Sequence, residues 1–90
     1  MKRLEAHVFG DVQGVSFRAF AAREARTRGI AGVASNTVDG SVFIIAEGET
    51  HELESFLLWL RAGPRFARVE RVEEHWTEAT GTFPDFKIIL

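Results

Sequence analysis

The residue types best suited to gripping a small anion are concentrated in one stretch, Gly10-Asp11-Val12-Gln13-Gly14-Val15-Ser16-Phe17-Arg18. Two glycines bracket a short turn. Glycine reaches backbone angles closed to other residues, so successive N–H groups can point inward. Such a nest, placed at a helix N-terminus, attracts anions. Arg18 falls in the first turn of the helix that follows, where the helix dipole disfavours a cation. A bound anion would reverse that cost, and a guanidinium matches two phosphate oxygens with parallel hydrogen bonds. The pattern is not the Walker loop, because the Lys and the following Ser/Thr are missing, nor is it the dinucleotide fingerprint. Spacing alone leaves two readings open: a small-anion cradle, or a glycine turn beside a solvated arginine.

Asn36 is the second candidate. An asparagine ahead of a turn often bonds only its local backbone. A carboxamide can also accept a hydrogen bond from water while donating elsewhere, so it can orient a nucleophile. His7, His51 and His75 lack metal-ligand spacing and read as satisfied or solvated side chains, so no metal site is expected. Glu70, Glu73, Glu74 and Glu78 read as a solvated edge rather than a general base.

Composition narrows the function classes. The 90 residues fit one domain, 1–90, and 46% of them are hydrophobic, including eight Phe and two Trp, enough for one two-layer core. A net charge of −2 offers no overall positive field for nucleic acid or an anionic membrane. The lack of cysteine excludes disulfides, a Cys nucleophile and Cys-ligated metal. Met1 to Glu5 carries no signal-peptide core, and the longest apolar run, Val42 to Ala46, is too short to cross a bilayer. A soluble, cytoplasmic monomer is expected, with no nucleic-acid or membrane partner.

The elements that must position these residues follow from periodicity. Leu4 to Phe9 reads as a strand closed by Gly10. From about Ser16 the period becomes helical, with Phe17, Phe20, Ala21 and Ala25 on one face, and Gly29 ends the helix. Ala31 to Val38 is a second strand, Asp39-Gly40 a tight hairpin signal, and Val42 to Glu47 a third strand, apolar on both faces and therefore central. Thr50 can cap a second helix whose buried stripe is Leu53, Phe56, Leu57 and Leu60, stopped by Gly63-Pro64. Arg68 to Trp76 is a charged edge strand, and Phe86 to Ile89 adds a short fifth. The order βαββαβ predicts an α+β fold, the ferredoxin-like sandwich with an antiparallel sheet and two helices on one face. The first two strands should then run parallel with the third between them, so the loop after Phe9 and the residues around Asn36 can converge. That fold hosts many functions and selects none by itself.

Val8 to Arg18 resembles the first acylphosphatase signature at every constrained position. Gly32-Val33-Ala34-Ser35-Asn36, with Gly40, Val42 and Gly48, resembles the second. Leu60, Gly63-Pro64, Ala67 and Val69 look like that family's helix-to-strand junction, and Gly81, Phe83, Phe86 and Ile88 like its C-terminal end. The similarity spans essentially the whole chain. In the family the residue after Gly32 is usually aromatic and the one before Asn36 often basic; Val33 and Ser35 stand there instead, flanking the site.

The resemblance implies hydrolysis of acyl phosphates to a carboxylate and inorganic phosphate. Main-chain N–H groups of Val12, Gln13, Gly14, Val15, Ser16 and Phe17 would bind the phosphate together with the Arg18 guanidinium. Asn36 would position the attacking water. No metal, no cofactor and no covalent phosphoenzyme are implied. Phosphoryl transfer asks a protein chiefly for positioning and charge stabilisation. A carboxylate leaving group needs no general acid, and the proton of the water could pass to a substrate phosphate oxygen. Two other classes use the same fold: an RNA-binding module stacking bases on exposed strand aromatics such as Phe43, and a non-catalytic anion sensor that keeps the loop. A third possibility is a domain of a larger carbamoyl-phosphate-handling protein, against which a free-standing enzyme is expected.

Overall fold

The structure, a computed structural model, describes residues 1–89. The chain runs β1 (Lys2–Asp11), α1 (Phe17–Thr27), β2 (Ala31–Asn36), β3 (Val42–Gly48), α2 (Thr50–Ala62), β4 (Arg68–Glu78) and β5 (Phe86–Ile89). The five strands form one sheet in the order β4-β1-β3-β2-β5. β3 pairs antiparallel with both β1 and β2, so β1 and β2 run the same way with β3 between them. This is the ferredoxin-like arrangement expected from the element order. The sheet is mixed rather than wholly antiparallel, because β5 returns to pair parallel with β2, Gly32 opposite Phe86. A four-residue strand carries no mark of its partner, so periodicity could not supply that direction.

Alternation sorts the strands into two faces. Leu4, Ala6, Val8, Ala34, Val42, Ile44 and Ala46 are fully buried. α1 lies over β2 and β5, while α2 lies over β1, β3 and β4. The helices contribute Phe17, Ala21, Ala22 and Ala25, and Leu53, Phe56, Leu57 and Leu60, to the same core. Phe20 departs from its expected place: it is 41% exposed, and Ala22 takes the buried position. Arg3, Glu5, His7 and Phe9 of β1 and Phe43 and Ile45 of β3 face the other side and are half-buried. No helix among the described residues is long and apolar enough to cross a membrane.

Several boundaries differ from expectation. β1 does not stop at Gly10. It continues to Asp11 through an irregularity in its pairing with β4 between Phe9 and Gly10. A bulge leaves one residue unpaired and increases local twist. Gly10 permits it: its φ is 134°, and a Cβ there would lie 2.0 Å from the Arg68 carbonyl oxygen. β2 ends at Asn36, two residues early, and Val38 is fully exposed in the turn. The connection to β3 is therefore the five residues 37–41 rather than a tight two-residue turn. α2 begins one residue earlier than the Thr50 cap implied. Glu49 is its N-cap, without a side-chain cap bond, and its carbonyl receives the Leu53 N–H at 2.9 Å.

Candidate functional site

The end of β1, opposite the unpaired Glu70 of β4, delivers the chain into a turn over residues 13–16 and then into α1. Gly14 has φ 77° and Ser16 has φ 61°, both left-handed, while Val15 between them does not. Alternating hand along the backbone turns successive N–H groups toward a common concavity. Ser16 is the only non-glycine residue with positive φ among the described residues. A left-handed conformation costs a non-glycine residue about 1–2 kcal/mol. Strain of that kind is retained where the surroundings require the geometry.

Ser16 is also the N-cap of α1, and its side chain makes no capping bond. The first turn contains no acidic residue. The first hydrogen bond entering the helix is the Phe20 N–H to the Ser16 carbonyl at 3.1 Å. The amides ahead of it are the free donors that every helix start leaves. Arg18 sits among them, so the start of α1 gathers orphan N–H groups, the positive end of the dipole and a guanidinium, with no anionic side chain to offset them. One Arg18 donor is already engaged: Nη1 gives a hydrogen bond to the Ile89 carbonyl at 2.8 Å.

A cleft of about 340 Å³ lies at this point, lined by Val12, Gly14, Ser16, Phe17, Arg18, Ala19, Asn36 and Ile88. That volume is at the lower end of the range for small-molecule sites, about 300–1,000 Å³. The topology thus brings Asn36, at the end of β2, beside the loop that follows β1. The Asn36 Oδ1 is buried without a hydrogen-bond partner. An unpaired buried acceptor costs roughly 1–3 kcal/mol, so it calls for a donor that the protein itself does not provide.

Not every loop residue lines the cleft. Val15 packs partly buried against the core. Gln13 turns its side chain to the β2–β3 turn, giving hydrogen bonds to the carbonyls of Thr37 at 2.9 Å and Ser41 at 2.7 Å. Ala19 and Ile88 are lining residues that the sequence does not assign to the site; Ile88 is marked there only as part of the C-terminal end, and the β5 pairing brings it to the cleft. Val33 and Ser35, the two departures from the family pattern, lie outside the cleft lining and pair with Ile45 and Phe43.

The turn carrying Asn36 into β3 is itself well tied. Asp39 accepts hydrogen bonds from the Ser41 hydroxyl, the Thr37 hydroxyl and the Ser41 N–H. Those bonds, Ser41 first, hold the exposed Asp39 carboxyl well below the usual carboxylate range. The Ser41 hydroxyl, almost fully buried, also meets His7 Nε2 at 2.6 Å. His7 is therefore a structural neighbour of the turn. His51 and His75 are exposed, and no group of three His, Asp or Glu side chains is placed to hold a metal among the described residues.

One buried acid was not anticipated. Glu47, 5% exposed, receives the Arg3 Nε–H at 2.9 Å, the Thr80 N–H and hydroxyl at 2.9 Å each, and the Gly81 N–H at 3.0 Å. Burial pushes its carboxyl up, but the amides of Thr80 and Gly81, the Thr80 hydroxyl and Arg3 together bring it down to about 2. Its role is to fasten the segment before β5 to the sheet. Phe43, considered above for base stacking, meets His7 edge-on at 5.6 Å, and Arg71 lies 3.9 Å over the Phe9 ring beside it.

Comparison with known proteins bears on this geometry. The family model for acylphosphatase matches residues 4–88. An acylphosphatase of Thermus thermophilus is 52% identical over 81 residues, covering 90% of this chain and 92% of the relative. The crystal structure of acylphosphatase from Bacillus subtilis superposes with a TM-score of 0.96 at 34% identity, covering 100% of both chains. HypF from T. kodakarensis contains a similar unit, with a TM-score of 0.85 and 32% identity, in 12% of its own length.

Proposed function

The chain belongs to the acylphosphatase family, and we propose that residues 1–90 act as one domain hydrolysing the carboxyl–phosphate bond of acyl phosphates by direct attack of a water on phosphorus. The phosphoryl group sits at the start of α1. Main-chain N–H groups of the loop over residues 12–17 and the Arg18 guanidinium take its equatorial oxygens. The water gives a hydrogen bond to Asn36 Oδ1, which fixes its lone pair toward phosphorus. The observation that carries the proposal is that orphaned Oδ1, belonging to a lining residue of the same cleft as Arg18 and the uncapped helix start.

The chemistry asks for nothing more. Phosphoryl transfer spreads charge over the three equatorial oxygens, and donors fixed in advance stabilise it without reorganising. One such donor is typically worth roughly 2.7–4 kcal/mol of barrier. The P–O bond to the acyl oxygen breaks and the carboxylate leaves with that electron pair. It is a stable anion at neutral pH, so no side chain needs to protonate it. Asn36 cannot take a proton from the water, because a carboxamide is not basic in this range. The proton passes instead to a phosphate oxygen, and inorganic phosphate is released.

We read the protein as a cytoplasmic monomer with no nucleic-acid or membrane partner; the net charge of −2 supplies no overall positive field for either polyanion, so the small anion must be held by the local donors of the loop and Arg18. The test is hydrolysis of benzoyl phosphate by the purified chain. Turnover that inorganic phosphate inhibits and a chelator leaves unchanged is expected. An inert protein that still binds phosphate would instead make it an anion sensor, and salt-dependent RNA binding without turnover would make it an RNA module.

A further inference from the structure

Gln13 stands inside the loop yet directs its side chain away from the cleft. Its Nε2 carries two hydrogens, and the two acceptors they reach, the carbonyls of Thr37 and Ser41, are the two ends of the turn after Asn36. Both carbonyls also accept from inside the turn. The Thr37 carbonyl takes the Gly40 N–H at 3.2 Å, and the Ser41 carbonyl takes the Thr37 N–H at 2.9 Å, with the Thr37 hydroxyl 3.2 Å away. Gln13 fills the second lone pair of the Thr37 carbonyl and makes the shortest of the contacts to the Ser41 carbonyl, 2.7 Å. Among the described residues these two bonds are the only hydrogen bonds between residues 12–16 and residues 37–41. The turn they reach is stiff, because Asp39, Thr37 and Ser41 bond one another and Ser41 meets His7.

We propose that Gln13 is a positioning residue for the chemical step, one that sets the distance between the Asn36 carboxamide and the phosphate cradle. The inference rests on the reading of the site given above and extends it to a side chain that touches neither substrate nor water. Thr37 follows Asn36 directly, so fixing the Thr37 carbonyl fixes the peptide from which the Asn36 side chain departs. A displacement of about 1 Å between reacting groups can lower a rate by about 10²-fold. The primary amide is the side chain the geometry needs. Methionine matches its length without a donor, glutamate offers only acceptors to two carbonyls, and asparagine keeps the donor but is too short to fork between them.

The experiment compares wild type, Gln13→Met, Gln13→Asn, Asn36→Ala and the double variant Gln13→Met/Asn36→Ala, with benzoyl phosphate as substrate and inorganic phosphate as inhibitor. Thermal melts confirm folding, and Gln13→Asn carries the test if Gln13→Met does not fold. Gln13→Met should lose roughly 10–100-fold in kcat. Its inhibition constant for phosphate should stay within about twofold, and in the Asn36→Ala background it should lower kcat by no more than about twofold further. A phosphate constant that rises as far as kcat falls would mean that Gln13 shapes only the loop. Losses that multiply in the double variant would mean that it does not act through Asn36. A normal kcat in Gln13→Met beside a crippled Asn36→Ala overturns the role of Gln13 alone. Normal turnover in Asn36→Ala overturns the reading of the site, and with it the route from Gln13.

Discussion

The Arg18 guanidinium gives one hydrogen bond to the Ile89 carbonyl, 71 residues away along the chain. A side chain near the start of α1 is thereby held by β5, the strand that reaches the sheet only through its parallel pairing with β2. The planar fork of arginine can keep that bond and still present further N–H groups to a phosphate. Replacing Arg18 with Gln should raise the phosphate inhibition constant and lower kcat/KM by roughly 10²–10³-fold. Arg18→Lys should recover only a small part of either loss, since its three donors radiate from one nitrogen and do not reproduce the planar fork that spans the carbonyl and two phosphate oxygens. Phosphate inhibition of Arg18→Gln at the wild-type constant would remove Arg18 from the cradle.

Asn36→Ala separates binding from chemistry. Its carboxamide is assigned to the water, so the variant should keep the wild-type phosphate constant while kcat falls by roughly 10²-fold or more. Thermal stability should change little or rise slightly, because the substitution also removes an unpaired buried acceptor. A steady-state comparison of kcat with phosphate inhibition decides it.

Two glycines near the cleft should respond differently to the same added methyl group. At Gly14, φ is 77° and no atom lies within 4 Å of a new Cβ. Gly14→Ala therefore meets only backbone strain, about 1–2 kcal/mol. At Gly10 the Cβ would sit 2.0 Å from the Arg68 carbonyl oxygen and 2.9 Å from the Glu70 nitrogen, both main-chain atoms. Gly10→Ala must push β4 away from β1 and should cost about 3 kcal/mol or more. Thermal denaturation of the two variants should place Gly10→Ala clearly below Gly14→Ala; equal melting temperatures would contradict the bulge.

Glu47 predicts a pH dependence. Its folded carboxyl lies at about 2 against an ordinary 4.5. The folded state thus holds the ionised form where the unfolded state takes up a proton, and stability rises with pH through that window. The contribution is present above 4.5 and is lost as pH falls toward about 2. Glu47→Gln should cost about 2 kcal/mol at neutral pH, about 10 °C in Tm for a chain of this size. The gap from wild type should close as the pH is lowered through the window. A gap that stays constant in acid would show that the charge is not what fastens Thr80 and Gly81.

Much of this arrangement was legible in the sequence, for identifiable reasons. The run of β3, apolar on both faces, marks it as central, the stripe of α2 marks a buried face, and the βαββαβ order then brings the end of β1 and the end of β2 to the same side of the sheet. That is why the loop and Asn36 could be placed together from sequence. The misses are contacts that depend on distant partners. Phe20 shares the helical period of the core, yet sits at the margin of the face that α1 presents to the sheet, where alanine suffices. Gly10 reads as a stop signal because a bulge and a turn ask for the same backbone freedom. Glu47 lies in an apolar strand with nothing nearby in sequence to mark Thr80 and Gly81 as its donors. The Gln13 side chain and the Ile89 carbonyl are of the same kind: polar groups whose use is set by tertiary position alone.

The place of β5 also couples the sheet's far margin to the cleft. Phe86 anchors the strand in the core against Phe56, while Ile88 walls the cleft and the Ile89 carbonyl holds Arg18. A substitution that loosens this short strand therefore reaches the phosphate cradle without altering any loop residue.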